Sequence, residues 1–220
     1  MGNESPPGRP PRALLFPLYG IVDPSQGKGR PADSLIRGLL DGGASVIQIR
    51  GKTMTSGLIF ELACQARVLT RQAGALLIVN DRVDIALATG ADGVHLGQDD
   101  FPLDVARRLL GDKLIGISTH DLEQARAAEQ GGADYIGFGP LFGTATKQTG
   151  YSPRGLEMLR KIRKTVSIPI VAIGGITEKN VQEVWEAGAD GAAIINDIMG
   201  AEDVAGKVRR IFRLAAHKAK

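Results

Sequence analysis

Arg50, Lys52 and Lys147 are cations with no acidic residue close by in the chain. Arginine offers a planar fork and lysine a compact point charge, and both suit phosphate or diphosphate. Asp81 and Asp100 supply hard carboxylate oxygens, the donors that Mg²⁺ takes together with substrate phosphates. Either aspartate could instead cap the helix that follows it. Gly174-Gly175 is a place where backbone can approach a phosphate closely. No Cys or His spacing suggests zinc.

These residues need elements to carry them. Short β-rich runs lie at Leu18–Val22, Val46–Ile49, Leu76–Val79, Gly93–Leu96, Leu114–Ile117, Tyr135–Phe138, Ile170–Ile173 and Ala192–Ile195. Helical periodicity fills the intervals: Asp33–Leu40, Gly57–Gln72, Arg82–Thr89, Leu103–Leu110, Leu122–Gln130, Gly155–Thr165, Lys179–Ala187 and Val204–His217. Three helix exits share the sequence Gly-Ala-Asp, at 90–92, 132–134 and 188–190, and Gly42-Gly43-Ala44-Ser45 is a near variant. A glycine there fits the left-handed position that closes a helix. Alternating strands and helices imply a parallel sheet. Eight units in this length predict an α/β chain folded as one (β/α)₈ (TIM) barrel over residues 14–220, after a flexible tail over 1–13. An open doubly wound sheet is the competitor, but no G-x-G-x-x-G follows the first strand.

In such barrels the site lies where the strands end. Strand two ends in Gln48, Arg50 and Lys52, strand three in Asn80 and Asp81, strand four leads to Asp100, and strand five ends in Ser118 and His120. Strand six runs into a segment holding Thr144, Thr146 and Lys147, strand seven ends at Gly174-Gly175, and strand eight at Ile195-Asn196. Seven polar clusters converging on one rim predict a site with two anionic subsites. One is cationic with a metal, on strands two to six; the other is built from backbone N–H groups on strands seven and eight. The Gly143–Pro153 segment, rich in Gly, Thr and Pro, reads as a lid. His95 either packs inside the fourth strand or supports the site, and Cys64 and Trp185 read as packing residues.

Composition narrows the classes. The chain has 220 residues, a net charge of +3 and one cysteine. An intramolecular disulfide is impossible, and no apolar run reaches membrane-spanning length. No basic run interleaved with aromatics points to nucleic acid. The expected partners are small phosphorylated molecules, the expected location is the cytoplasm, and a homo-oligomer is left open.

At Gln48–Lys52, Asn80-Asp81-Arg82, Gly90–Asp100 (GADGVHLGQDD), Tyr135–Lys147 and Ile173–Ile176 (IGGI) the chain resembles the thiamine phosphate synthases. The resemblance implies a transferase that couples hydroxymethylpyrimidine diphosphate with hydroxyethyl-methylthiazole phosphate, releasing pyrophosphate with the help of Mg²⁺. It implies that Arg50, Lys52, Asn80, Ser118 and Lys147, with Gln48 beside them, bind the pyrimidine diphosphate. Asp81 and Asp100 would hold the metal. Thr144, Thr146, Gly175, Ile195 and Asn196 would line the thiazole phosphate subsite. Catalysis would rest on Arg50, Lys52, Lys147 and Ser118. The chain departs from the family pattern at Gly51, usually Glu, at Gly143, commonly Pro, and at Asn196, usually Ser. A thiazole tautomerase of the same fold and a binding barrel without turnover are the rival readings.

Overall fold

Aliphatic and β-branched runs extend into strands, and each is too short and too apolar to stay exposed. In the computed structural model, which describes residues 17–143 and 152–216, they form eight parallel strands. These are β1 (Leu18–Val22), β2 (Val46–Ile49), β3 (Leu76–Asn80), β4 (Gly93–Leu96), β5 (Leu114–Thr119), β6 (Tyr135–Phe138), β7 (Ile170–Ile173) and β8 (Gly191–Ala193). They pair in chain order, and β8 closes back on β1 through Leu18 opposite Ala192 and Tyr19 opposite Ala193. The expected (β/α)₈ barrel is what the chain forms.

The helices that cover it are α1 (Ala32–Asp41), α2 (Ser56–Ala73), α3 (Val83–Ala88), α4 (Leu103–Leu110), α5 (Leu122–Gln130), α6 (Gly155–Thr165), α7 (Val181–Glu186), α8 (Asn196–Met199) and α9 (Val204–Ala216). Most expected boundaries hold within two residues. The difference is at strand eight, which ends at Ala193 because Met199 N–H already bonds back to the Ile195 carbonyl and Gly200 N–H to that of Asn196. The apolar run Ala192–Ile195 hides this short turn of helix, and helix and strand are not separable by pattern over so few residues. The expected tail over residues 1–13 lies outside the described residues. No helix among the described residues is long and apolar enough to cross a membrane.

Two apolar layers result. One lies between strands and helices and includes the fully buried Leu35, Ile36 and Leu39 of α1 and Trp185 of α7. Cys64 on α2 is partly buried. The other fills the barrel itself with Tyr19, Ile21, Val46, Ile78, Tyr135, Val171 and Ala193.

The Gly-Ala-Asp exits do more than turn the chain. Gly90, Gly132 and Gly188 take the expected left-handed backbone, at φ 62°, 85° and 108°. The aspartates then tie the strands' N-terminal ends together. Asp92 Oδ2 accepts from Arg67 of α2 at 2.6 Å and from Leu77 N–H at 2.7 Å. Asp134 repeats this with Arg107 of α4 and Ile115 N–H, at 2.6 and 2.7 Å. Asp190 does so with Arg163 of α6 and Ile170 N–H, at 2.7 and 2.9 Å. Each carboxylate takes up a strand's first free N–H and an arginine whose own charge is mostly covered.

Candidate active site

Strand pleating sends alternate side chains into the barrel, so polar residues at the right parity meet at its C-terminal end. There they line a cavity of about 340 Å³. Gln48 and Arg50 reach it from β2, Asn80 from β3, His95 from β4 and Ser118 from β5, while Gly174, Gly175, Ile195 and Asn196 close the opposite wall. Thr144, Thr146 and Lys147, and most of the expected lid, lie outside the described residues.

The cations are partnered by residues distant in sequence. Arg50 pairs with Asp23, which is 3% exposed. Asp23 also caps a 3₁₀ turn, Pro24–Gln26, by accepting from Ser25 N–H at 3.0 Å and Ser25 Oγ at 2.7 Å. Sequence reasoning passed over Asp23, although Asp-Pro-Ser after a strand is a helix-start signal. Lys52 is half-exposed and pairs with Asp81.

Neither expected metal ligand caps a helix. The N-cap position before α3 is Arg82 and that before α4 is Pro102, in each case without a side-chain cap. Asp81 follows β3 in left-handed backbone at φ 61°, a conformation that costs a non-glycine residue about 1 kcal/mol or more. Strain of that kind concentrates where function needs a side chain aimed. Burial pushes the Asp81 carboxyl above its ordinary value, the Lys52 hydrogen bond opposes this, and the Asp100 carboxylate within hydrogen-bonding reach adds to the rise. Asp100 Oδ2 also accepts from Gly97 N–H at 2.7 Å. Two carboxylates sharing one place in half-buried surroundings suit a divalent cation. Among the described residues no three His, Cys, Asp or Glu side chains gather as a complete metal cage. That donor set fits Mg²⁺, which takes one or two carboxylates and leaves the remaining positions to water and phosphate oxygens.

The opposite wall is backbone. Gly174 and Gly175 have φ 99° and 65°. A Cβ at Gly174 would stand 2.6 Å from Pro140 Cα, and one at Gly175 2.6 Å from the Gly143 carbonyl. Only glycine therefore lets the turn after β7 close against the loop after β6. Ile195 begins α8 and exposed Asn196 is its first residue.

Beneath the cavity a polar chain crosses the barrel. Gln48 Nε2 donates to Tyr19 Oη at 2.9 Å, and Tyr19 Oη lies 2.7 Å from Tyr135 Oη. His95 Nδ1 is 3.1 Å from Tyr135 Oη, and its Nε2 is 3.0 Å from Ser118 Oγ. His95 is thus part of the site and not only a packed ring. Full burial pushes both phenols well above the ordinary tyrosine value, so both keep their protons.

Comparison with known proteins decides the family. The family model described as thiamine monophosphate synthase matches residues 18–198. The chain belongs to this family. It is 49% identical to a thiamine-phosphate synthase of Chloroflexus aurantiacus over 90% of this chain and 92% of that one. It is 51% identical to the Moorella thermoacetica protein of the same name, over 88% and 93%. A solved thiamine phosphate pyrophosphorylase from Pyrococcus furiosus superposes with a TM-score of 0.85 at 42% identity, covering 94% and 98% of the two chains. A 3-hexulose-6-phosphate synthase from Salmonella typhimurium, with a TM-score of 0.69 at 18% identity, shares the fold alone. The expected assignment to a transferase enzyme of thiamine biosynthesis is borne out with the family.

Of the three departures, Gly51 has a local account, and nothing in the structure explains Gly143 or Asn196. At Gly51, Met54 Sδ lies 2.7 Å from where a Cβ would stand, so the methionine fills space that a side chain at 51 would use. Among the described residues, no atom lies within 4 Å of where a Cβ at Gly143 would stand. Tyr19, Tyr135 and Asp23 were missed by sequence reading. The two tyrosines carry a weak signal: a phenol within an otherwise aliphatic strand needs a buried hydrogen-bond partner.

Proposed function

We propose that the chain is a thiamine phosphate synthase. It joins hydroxymethylpyrimidine diphosphate to hydroxyethyl-methylthiazole phosphate, giving thiamine monophosphate and pyrophosphate. The observation that carries the reading is one cavity with two unlike walls. Arg50, Asn80 and Ser118 line one side, and the glycine turn with the start of α8 lies on the other. Lys52, Asp81 and Asp100 gather at the neighbouring strand ends, outside the lining itself. An enzyme joining a diphosphate to a monophosphate needs this pair of anion subsites.

The bond that breaks joins the pyrimidine methylene carbon to the diphosphate oxygen, and the electron pair leaves with pyrophosphate. The bond that forms joins the same carbon to the thiazole nitrogen. The aminopyrimidine ring donates electron density to the methylene carbon, so departure can run ahead of attack. Arg50, Lys52 and Asn80, with Lys147, hold the diphosphate and favour the charge it gains. Asp81 and Asp100 would hold Mg²⁺, which supplies further stabilisation of the departing pyrophosphate. Gln48 and Ser118 orient the pyrimidine ring. Gly175, Ile195 and Asn196, with Thr144 and Thr146, seat the thiazole phosphate. No strong general base is required, because the thiazole nitrogen attacks without losing a proton.

The test is incubation with both substrates and Mg²⁺, measuring pyrophosphate and thiamine monophosphate together. Stoichiometric release of both is expected. Tight binding without product would favour a binding barrel, and rearrangement of the thiazole alone would favour a tautomerase.

A further inference from the structure

The chain from Gln48 to Ser118 has a direction, and the direction follows from counting protons. Gln48 Nε2 donates to Tyr19 Oη. Having accepted there, Tyr19 spends its single proton on Tyr135 Oη, 2.7 Å away. Tyr135 then donates to His95 Nδ1 across 3.1 Å. A neutral imidazole that accepts at Nδ1 carries its proton on Nε2, and that proton goes to Ser118 Oγ at 3.0 Å. Ser118 keeps its own hydroxyl proton for a ligand, and Gln48 keeps Oε1 as an acceptor.

The barrel is cut to fit this chain. A Cβ at Gly116 would stand 2.1 Å from Tyr135 Cζ and 2.5 Å from His95 Nδ1, and one at Gly137 2.9 Å from His95 Cε1. These two inward positions on β5 and β6 hold no side chain where apolar residues would otherwise fill the core. Tyr19, Gln48 and Tyr135 are each at most 3% exposed, so bulk solvent has little access to their protons. Burial also keeps both phenols protonated, so each has one proton to pass on.

We propose that Gln48, Tyr19, Tyr135, His95 and Ser118 form a one-way hydrogen-bond relay that holds His95 as its Nε2–H tautomer and makes the pocket select an aminopyrimidine over an oxopyrimidine. The selection half of this rests on the functional reading above; the relay itself does not. An aminopyrimidine presents an N–H donor beside a ring-nitrogen acceptor, which matches the Oε1 and remaining N–H of Gln48. The oxo analogue, as its lactam, presents a carbonyl acceptor beside an N–H donor. To meet it Gln48 must turn its amide over and place Oε1 against Tyr19. Tyr19, Tyr135, His95 and Ser118 must then all reverse. Tyr19 and Tyr135 are therefore positioning residues that set specificity through the two groups at the relay's ends. A site built around fixed donors and acceptors rejects a mismatched ligand by factors of about 10⁴.

Two measurements test this. With ¹⁵N-histidine labelling only three rings are observed, His95, His120 and His217. His95 Nδ1 is expected to resonate as the unprotonated nitrogen and Nε2 as the protonated one, and Tyr135→Phe should give a mixture. The reverse tautomer in the wild type overturns the relay. The second measurement is the ratio of kcat/KM for the amino and oxo pyrimidine diphosphates. Tyr135→Phe should lower that ratio at least about tenfold, mostly by improving the oxo substrate. An unchanged ratio in a folded variant overturns the selection. Tyr19→Phe breaks the same relay one step earlier and serves if Tyr135→Phe does not fold. A wild type that turns over neither substrate overturns the functional reading instead, and the relay is then judged on the tautomer.

Discussion

At the barrel's N-terminal rim Asp92, Asp134 and Asp190 each accept from an arginine and a strand N–H. At the C-terminal rim Asp81 and Asp100 face each other, with Lys52 on one side. The residue types are the same and the outcomes are opposite. Below, every carboxylate is neutralised by a partner the fold supplies, which stabilises the barrel. Above, two carboxylates stand within hydrogen-bonding reach of each other, a like-charge contact that the lower rim does not have. Burial and Asp100 raise the Asp81 carboxyl, and its backbone is strained. The lower rim is a finished structure, and under the proposed function a cation and a diphosphate would complete the upper one. Stability and function are thereby separated to the two ends of one set of strands.

The separation can be broken from either end. The largest effect should come from Asp81→Ala with Asp100→Ala. Thiamine phosphate formation at saturating Mg²⁺ should fall about 10³-fold or more, since removing one electrostatic stabiliser alone often costs 10²–10³. Melting temperature should not fall. Activity that survives the pair would remove both residues from the metal site. Asp190→Ala, at the other rim, should do the converse. It takes the carboxylate away from Arg163, which keeps the Val166 and Ile168 carbonyls, and from the Ile170 N–H, costing about 3 kcal/mol. In a chain of this size that lowers the melting temperature by about 6–12 °C, and kcat measured well below it should stay unchanged. A fall in kcat with no loss of stability would refute the division of labour.

Asp81→Asn sharpens the comparison within the upper rim. The folded carboxyl is raised above its unfolded value, so the wild type is relatively more stable when Asp81 is protonated. That relative stability is lost as pH rises from the ordinary carboxylate range through the raised value. Asparagine removes the charge and tolerates left-handed backbone. The variant should be the more stable of the two at neutral pH, melting about 2–4 °C higher per kcal/mol relieved, with the advantage shrinking in acid. An equal gap at all pH values would assign the gain to backbone strain alone. The smallest effect is expected at Gly51→Glu, which restores the family's usual residue. Met54 must swing aside, and a flexible thioether does so cheaply. Stability should move within about 0.5 kcal/mol and kcat/KM little.

Much of this was legible in the chain. Most elements stand within two residues of the expected boundaries, because aliphatic runs bounded by glycine turns have few other ways to bury themselves. The rim placement of Arg50, Asn80, Asp81 and Ser118 follows from strand parity and direction once the barrel is assumed. The Gly-Ala-Asp turns were half legible: the glycines announced helix ends, but the partners of the aspartates stand 25–27 residues away. Asp23 as the mate of Arg50, and Asp81 as the mate of Lys52, were not legible, since strand neighbours meet across 27 and 29 residues.

The sequence by itself determined the architecture, the family and the list of chemical groups at the rim. Local pattern controls these, because period, turn residues and side-chain chemistry are properties of short segments. Only the tertiary structure decided which groups are spent on one another and which face the cavity. It also decided that His95 joins Tyr135 to Ser118 through space left by Gly116 and Gly137. Hydrogen bonds and ion pairs depend on distances of a few ångström, and closing eight strands into a ring sets those distances.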